Sequence, residues 1–210
     1  MTDDRSRRIL HYLKKEYGNP VTELRFVNLY ELAVSVILSA QTTDKQVNAV
    51  TPELFKRYPS FADLSQAHQT EVAALIRSTG FYQNKAKNII NLAKKVTGEL
   101  NGKLPDTREE LMRLPGIGRK SANVILAVGF HKPALAVDTH VLRVANRIGY
   151  IRTPVPFEVE KALTSFIPRE EWSAAHLLFI KHGRTTCKAR NPRCFECALI
   201  SLCDFEYKNL

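Results

Sequence analysis

The sequence predicts an all-α protein. Apolar residues recur at helical period along most of the chain, and glycines and prolines fall between the recurrences. No long low-complexity linker, sustained heptad or internal repeat is present, so any division into domains must be a division of packing and not a flexible tether.

Taken in order, helical patterns cover about residues 4–16, closed by Gly18 and Pro20, then 29–39, 44–57 closed by Pro59, and 70–78 closed by Gly80. The clearest pattern runs through Ala86, Ile89, Ile90, Ala93, Val96 and Leu100, one apolar stripe on a helix otherwise carrying Lys and Asn, with Gly102 and Pro105 behind it. Further patterns cover about 119–129, 140–148 closed by Gly149, 157–166 closed by Pro168, and 171–181. Two short runs, Val124 to Phe130 and Ala134 to Val137, also suit buried strands, because periodicity does not separate the two states over so few residues.

A chain of 210 residues buries a substantial core, or two small ones, without disulfides, and 44% hydrophobic with 25% charged residues is an ordinary soluble composition. The longest near-apolar run, Leu32 to Ala40, is too short to span a bilayer, and the charged N-terminus has no apolar stretch of signal-peptide type behind it. A cytoplasmic location follows, within the nucleoid if the source is a prokaryote, and in that reducing compartment four cysteines are not expected as two disulfides. Thirty-one Lys plus Arg against 21 Asp plus Glu leave a formal charge of +10, a field that attracts polyanions. Nucleic acid is the natural partner, but charge alone does not establish it.

The segment Thr107-Arg-Glu-Glu110-Leu-Met-Arg-Leu114-Pro-Gly116-Ile117-Gly118-Arg119-Lys120 opens with a capping box and breaks at Pro115 and Gly116, with a second helix beginning near Arg119. A Gly-x-Gly turn between two helices exposes backbone N–H groups at the start of the second, where the dipole favours anions and glycine permits close approach. The surroundings are basic, so a phosphate cradle is expected over a plain helix–helix turn. A dinucleotide fingerprint is disfavoured because that motif follows a strand, and Leu111 to Leu114 read as helix.

Leu114-Pro-Gly-Ile-Gly-Arg-Lys120 resembles the helix-hairpin-helix motif of the base-excision DNA glycosylases, and Lys at its last position is similar to the endonuclease III branch. An amine nucleophile suits cleavage of an N-glycosidic bond followed by strand scission, because its Schiff base at C1′ acidifies the neighbouring proton and permits β-elimination of the 3′ phosphate. Lys120 must be deprotonated to attack. A helix N-terminus, neighbouring Arg119 and partial burial would all disfavour its charged form.

Eighteen positions on, Val137-Asp138-Thr-His140-Val places an acid directly before a helical pattern. An isolated Asp there reads first as an N-cap, a role compatible with directing one oxygen toward a reacting group. The segment resembles the family's catalytic aspartate, which implies that Asp138 assists Lys120 and stabilises charge developing on the sugar. His140 is expected to be structural.

Cys187-x6-Cys194-x2-Cys197-x5-Cys203 gathers all four cysteines within 17 residues, as ligands of one centre. A tetrahedral zinc site ranks first from the chemistry of four thiolates, although only one C-x2-C unit occurs. The 6-2-5 spacing resembles the [4Fe–4S] loop of endonuclease III, which favours the cluster in a structural role. Lys188, Arg190 and Arg193 make the same loop a basic projection suited to DNA phosphates.

Leu38-Ser-Ala-Gln41-Thr-Thr-Asp44 resembles the family motif whose glutamine fills the space left by an extruded base, so that role passes to Gln41. Thr79-Gly-Phe81-Tyr82 is a second candidate, with Phe81 either wedging into the duplex or seating the following helix in the core. Many relatives carry an aliphatic residue at Phe81.

The resemblance covers essentially the whole chain. It implies two helical domains flanking a DNA cleft, a barrel of 22–132 containing the hairpin at about 107–129, and a cluster domain of 1–21 with 133–210 and a cluster loop of 187–203. It further implies a monomer that excises oxidised or ring-saturated pyrimidines from duplex DNA and cleaves 3′ to the abasic site. Adenine-specific mismatch relatives use a carboxylate before the glutamine motif, and Leu32 to Thr43 contains none. A noncatalytic hairpin DNA-binding protein gives no purpose to Lys120 with Asp138, and an electron-transfer iron–sulfur protein gives none to the helical body.

Overall fold

The computed structural model describes residues 1–210 and contains eleven α-helices with short 3-10 turns and no strand. The helices are α1 (Asp3–Tyr17), α2 (Leu29–Leu38), α3 (Asp44–Arg57), α4 (Phe61–Ser65), α5 (Gln69–Leu75), α6 (Tyr82–Glu99), α7 (Arg108–Leu111), α8 (Arg119–Val124), α9 (Thr139–Ile148), α10 (Pro156–Phe166) and α11 (Trp172–Thr185). None is long and apolar enough to cross a membrane.

The all-α expectation holds, with two local departures. Periodicity missed α4, whose five residues are less than two turns; its visible signal is Ser60, whose hydroxyl caps the Asp63 N–H at 3.2 Å. The helix expected over 119–129 is regular only to Val124 and then widens into a π turn over Ile125–Gly129. The strand alternative fails in both runs. Ala134 to Val137 is buried and irregular, and the Ala136 carbonyl lies 2.8 Å from His176 Nδ1, a side-chain partner where a strand would have a ladder. Since a carbonyl only accepts, Nδ1 carries the proton.

The chain divides into two compact units, Thr22–Phe130 and Met1–Val21 with His131–Leu210. In the continuous unit, α2 is apolar on every side and buries all its residues but Leu29 and Glu31, as a helix at the centre of a core must. Helices α3, α6 and α8 pack around it. A Cβ on Gly129 would stand 2.6 Å from Leu29 Cδ2 and 2.7 Å from Leu32 Cδ2, so a side chain there would have to displace both leucines where the wide turn passes α2. Helix α6 buries the stripe read from the sequence, Ala86, Ile89, Ile90, Ala93 and Val96, against α2, α4 and α5.

The discontinuous unit is built from α1, α9, α10 and α11 around Ile9, Leu13, Val141, Val144, Leu163 and Phe179. The two ends of the chain are tied by Arg5, which donates to Asp204 Oδ1 at 2.6 Å, the Leu202 carbonyl at 2.6 Å and the Ile148 carbonyl at 2.9 Å. Three acceptors on one planar guanidinium fix its orientation, and with it the seat of α1.

Candidate functional site

Within the continuous unit, the hairpin is α7, a turn through Pro115, and α8. Thr107 accepts from the Glu110 N–H at 3.4 Å and its hydroxyl donates to the Glu110 carboxylate at 2.5 Å, so the capping pair meets through side chains. Leu111, Leu114 and Ile117 are buried and seat the hairpin. The Ile117 N–H donates to the Leu114 carbonyl at 3.2 Å, so its side chain and its N–H are both engaged within the hairpin. The two glycines differ. Gly116 sits at φ +78°, and a Cβ there would meet Asn88 Cβ at 3.0 Å; Gly118, the N-cap of α8, has φ −90° and open space around an added Cβ. Fold geometry therefore demands a glycine only at Gly116.

Lys120 is the second residue of α8, and its side chain is exposed. Burial therefore contributes nothing to disfavouring its charged form. Arg119 beside it is half-buried. The first N–H groups of any helix have no carbonyl partner within it, and the positive end of the helix dipole lies at this end of α8 too.

Gln41 and Phe81 lie in two turns of this same unit, and both are exposed with left-handed backbones, φ 53° and 46°. Phe81 is 67% exposed, which rules out seating α6 in the core. The two turns are joined by Lys85, a residue that sequence reading passed over. Its Nζ donates to Thr42 Oγ1 at 2.7 Å, the Thr79 carbonyl at 2.8 Å and the Leu38 carbonyl at 2.9 Å. Burial pushes its amine below the usual lysine value. The available signal was register: Lys85 stands four residues before Ile89 on the stripe that α6 buries.

In the discontinuous unit, Asp138 is half-buried and caps α9, its Oδ1 accepting from the Val141 N–H at 2.8 Å. One oxygen is thus fixed at a rigid helix terminus and Oδ2 is not used by the cap. His140 stands 3.2 Å from Arg143 Nη2 through Nδ1, a structural contact.

Cys187, Cys194, Cys197 and Cys203 are half-buried, none is in a disulfide, and all four line one cavity. No three of them close on a point that would hold a single ion. Burial pushes the Cys197 thiol up to about 11 and raises that of Cys203, so these become thiolate ligands only around a cationic centre. Four thiols spread around one cavity fit a polynuclear cluster better than a tetrahedral ion, whose ligands crowd within about 2.3 Å of it. Two α9 arginines brace the loop. Arg147 donates to the Lys188 and Ala189 carbonyls at 2.7 and 3.0 Å, with Cys187 Sγ 3.6 Å away, and Arg143 donates to the Cys187 carbonyl at 3.1 Å. Lys188, Arg190 and Arg193 are exposed on this loop, but Arg193 is paired with Glu196.

Among known proteins, the pattern of the HhH-GPD superfamily of base excision DNA repair proteins matches residues 34–169. Endonuclease III of Synechocystis sp. is 44% identical over 200 residues, 95% of this chain and 91% of that protein. Endonuclease III of Bacillus subtilis is 48% identical over 182 residues, 86% of this chain and 83% of that protein. The solved structure of a trapped endonuclease III–DNA covalent intermediate superposes with a TM-score of 0.93 at 45% identity, covering 97% of this chain and 96% of that one. Identity at this level over nearly the full length, on the same helical frame, places the chain in the endonuclease III family of HhH-GPD base excision DNA repair proteins.

Proposed function

We propose that this DNA glycosylase and abasic-site lyase removes oxidised or ring-saturated pyrimidines from duplex DNA and nicks the strand 3′ to the abasic site, with the Lys120 amine as nucleophile. The observation that carries this is Lys120 itself, an exposed amine on the first turn of α8 directly behind the Gly116-Ile-Gly118 turn. A relative trapped as a covalent intermediate on DNA supports both the covalent step and the partner.

In this reading the hairpin holds a phosphate at the Gly118 end of α8, where no Cβ intervenes. The damaged base leaves the stack at a cost of a few kcal/mol, and Gln41 and Phe81 occupy the gap. Lys120 Nζ forms a bond to C1′ as the C1′–N bond breaks, the electron pair leaving with the base, which takes up a proton. Opening of the sugar ring moves a proton to its oxygen and gives the iminium. Loss of a C2′ proton then expels the 3′ phosphate, and water hydrolyses the imine to return the amine. Asp138 serves as the carboxylate that takes the Lys120 proton and balances positive charge on the sugar, its orientation set by the Val141 cap.

The four cysteines would hold a [4Fe–4S] cluster, which when bound supplies rigidity to the loop 187–203. Lys188 and Arg190 on that loop meet DNA phosphates, and the Arg147 bonds to the Lys188 and Ala189 carbonyls set where they point. The unit Thr22–Phe130 is then the barrel domain, and the unit with both termini the cluster domain. The enzyme acts as a monomer in the cytoplasm, on the nucleoid in a prokaryote.

The test is borohydride trapping on duplex DNA carrying one oxidised pyrimidine. Wild type and Asp138→Asn are expected to differ in rate, and Lys120→Ala to give no adduct. An adduct that persists in Lys120→Ala would remove Lys120 as nucleophile, and none from wild type would make the enzyme a monofunctional glycosylase.

A further inference from the structure

Lys85 is 4% exposed, the most buried lysine of the chain and one the mechanism above does not use. It lies on the first turns of α6, where the helix dipole disfavours a cation, and a buried ammonium also loses its hydration. A Met or Leu would fill the same place on the stripe without either cost. What an ammonium adds is three donors directed from one point, and here they reach two separate turns.

The acceptors Leu38 and Thr42 bracket Gln41, and Thr79 stands two residues before Phe81. Thr42 Oγ1 also donates to the Thr79 carbonyl, and Gln46 Nε2 donates to Ser78 Oγ at 2.5 Å, so the two turns are tied at the same end. Each turn holds a residue with a Cβ in the left-handed region, a conformation that persists only where its surroundings over-determine it. The bonds from Lys85 provide that constraint for both turns at once.

We propose that Lys85 is a positioning residue for base extrusion: its buried ammonium locks the turn 38–42 to the turn 79–81, so that Gln41 and Phe81 enter the duplex as one preset pair. The proposal rests on the reading of those two side chains as the inserting pair. Lys85 itself is buried and touches no DNA. Without it each turn must be ordered separately during extrusion, and that loss falls on the duplex step while leaving the amine chemistry of Lys120 alone.

The test uses the cluster-loaded full chain, with Lys85→Met and Thr42→Val as the variants, their combination, and Gln41→Ala and Phe81→Ala as references. Two substrates are compared: a duplex with one oxidised pyrimidine and 2-aminopurine opposite it, and single-stranded DNA with a preformed abasic site, which needs no extrusion. Lys85→Met and Thr42→Val are expected to slow single-turnover excision from the duplex by about 10- to 100-fold and to diminish the 2-aminopurine fluorescence change. Borohydride trapping on the single strand should stay within about twofold of wild type, which also reports an intact fold. The combined variant should cost no more than the worse single one, since both break the same tie.

Duplex excision unchanged in both variants while Gln41→Ala or Phe81→Ala impairs it would overturn the role of Lys85. So would equal losses on the two substrates, which mark a general loss of stability. Duplex excision unchanged in Gln41→Ala and Phe81→Ala would instead sink the insertion reading, and this proposal with it.

Discussion

A Cβ on Gly149 would stand 2.0 Å from Asp204 Oδ2, well inside van der Waals contact. Gly149 ends α9 at φ +100°, so an alanine there is opposed twice, by backbone conformation and by the carboxylate that Arg5 holds. Asp204 follows Cys203 directly, whose Sγ donates to the Arg147 carbonyl at 3.3 Å. Gly149→Ala is therefore expected to cost about 2–3 kcal/mol, from left-handed strain and the displaced ion pair, and to loosen the cysteine loop. Chemical denaturation checks the first effect; on the reading that the loop holds an iron–sulfur cluster, loss of visible absorbance during purification checks the second.

The two hairpin glycines should separate folding from binding. Gly116→Ala meets both a positive φ and the Asn88 Cβ at 3.0 Å, and should lower stability by about 1–3 kcal/mol. Gly118→Ala meets neither obstacle and changes only the N-cap, a cost of up to about 1 kcal/mol. If a phosphate sits against Gly118, the added methyl should cut duplex affinity by about tenfold or more while melting shifts little. Wild-type affinity in Gly118→Ala would move the phosphate elsewhere on the hairpin.

Tyr150 gives a pH-dependent contribution of definite sign. Its hydroxyl is 2.8 Å from Ser6 Oγ, and burial pushes the phenol from 10.0 up to about 12, against smaller lowering by the Ser6 bond and the Arg5 charge. Between those values the folded chain keeps a proton that the unfolded chain has released. The stabilisation is thus complete below pH 10 and is lost as pH rises toward 12. Tyr150→Phe should cost about 1 kcal/mol at pH 7 through the lost hydrogen bond, and the gap to wild type should narrow across pH 10 to 12. Denaturation midpoints of both proteins along that series measure it.

The features legible in the sequence share a property: one residue type in one register has one physical meaning. The stripe of α6 reads directly because one face of that helix is buried, and Asp138 reads as a cap because its carboxylate bonds a residue three positions on. The wide turn at Ile125–Gly129 was not legible, since its apolar residues keep a helical pattern while the leucines that Gly129 passes, Leu29 and Leu32, stand nearly a hundred residues earlier in the chain. Lys85 and Arg147 escaped for a related reason. Composition counts them as surface charge, whereas their partners are backbone carbonyls of distant turns, which leave no signature in sequence. The cysteine spacing marked the four residues that line one cavity without showing the arginines that brace their loop.

Arg193 shows how a basic loop can present less charge than its composition suggests. Its Nε and Nη2 meet Glu196 Oε1 and Oε2 at 2.6 and 2.8 Å, a two-pronged pair that competes with any phosphate for the same guanidinium. Glu196→Gln keeps the side-chain shape but removes the competing charge, so it should tighten binding to an abasic-site duplex and steepen its salt dependence by about one counterion. Arg190→Ala should weaken binding and flatten that dependence more than Arg193→Ala does, because Arg193 is already half neutralised. Fluorescence anisotropy at several salt concentrations distinguishes the three variants. Equal losses at the two arginines would mean that DNA draws Arg193 away from Glu196, in which case Glu196→Gln should raise affinity by the work of breaking that exposed pair, at most about 1 kcal/mol.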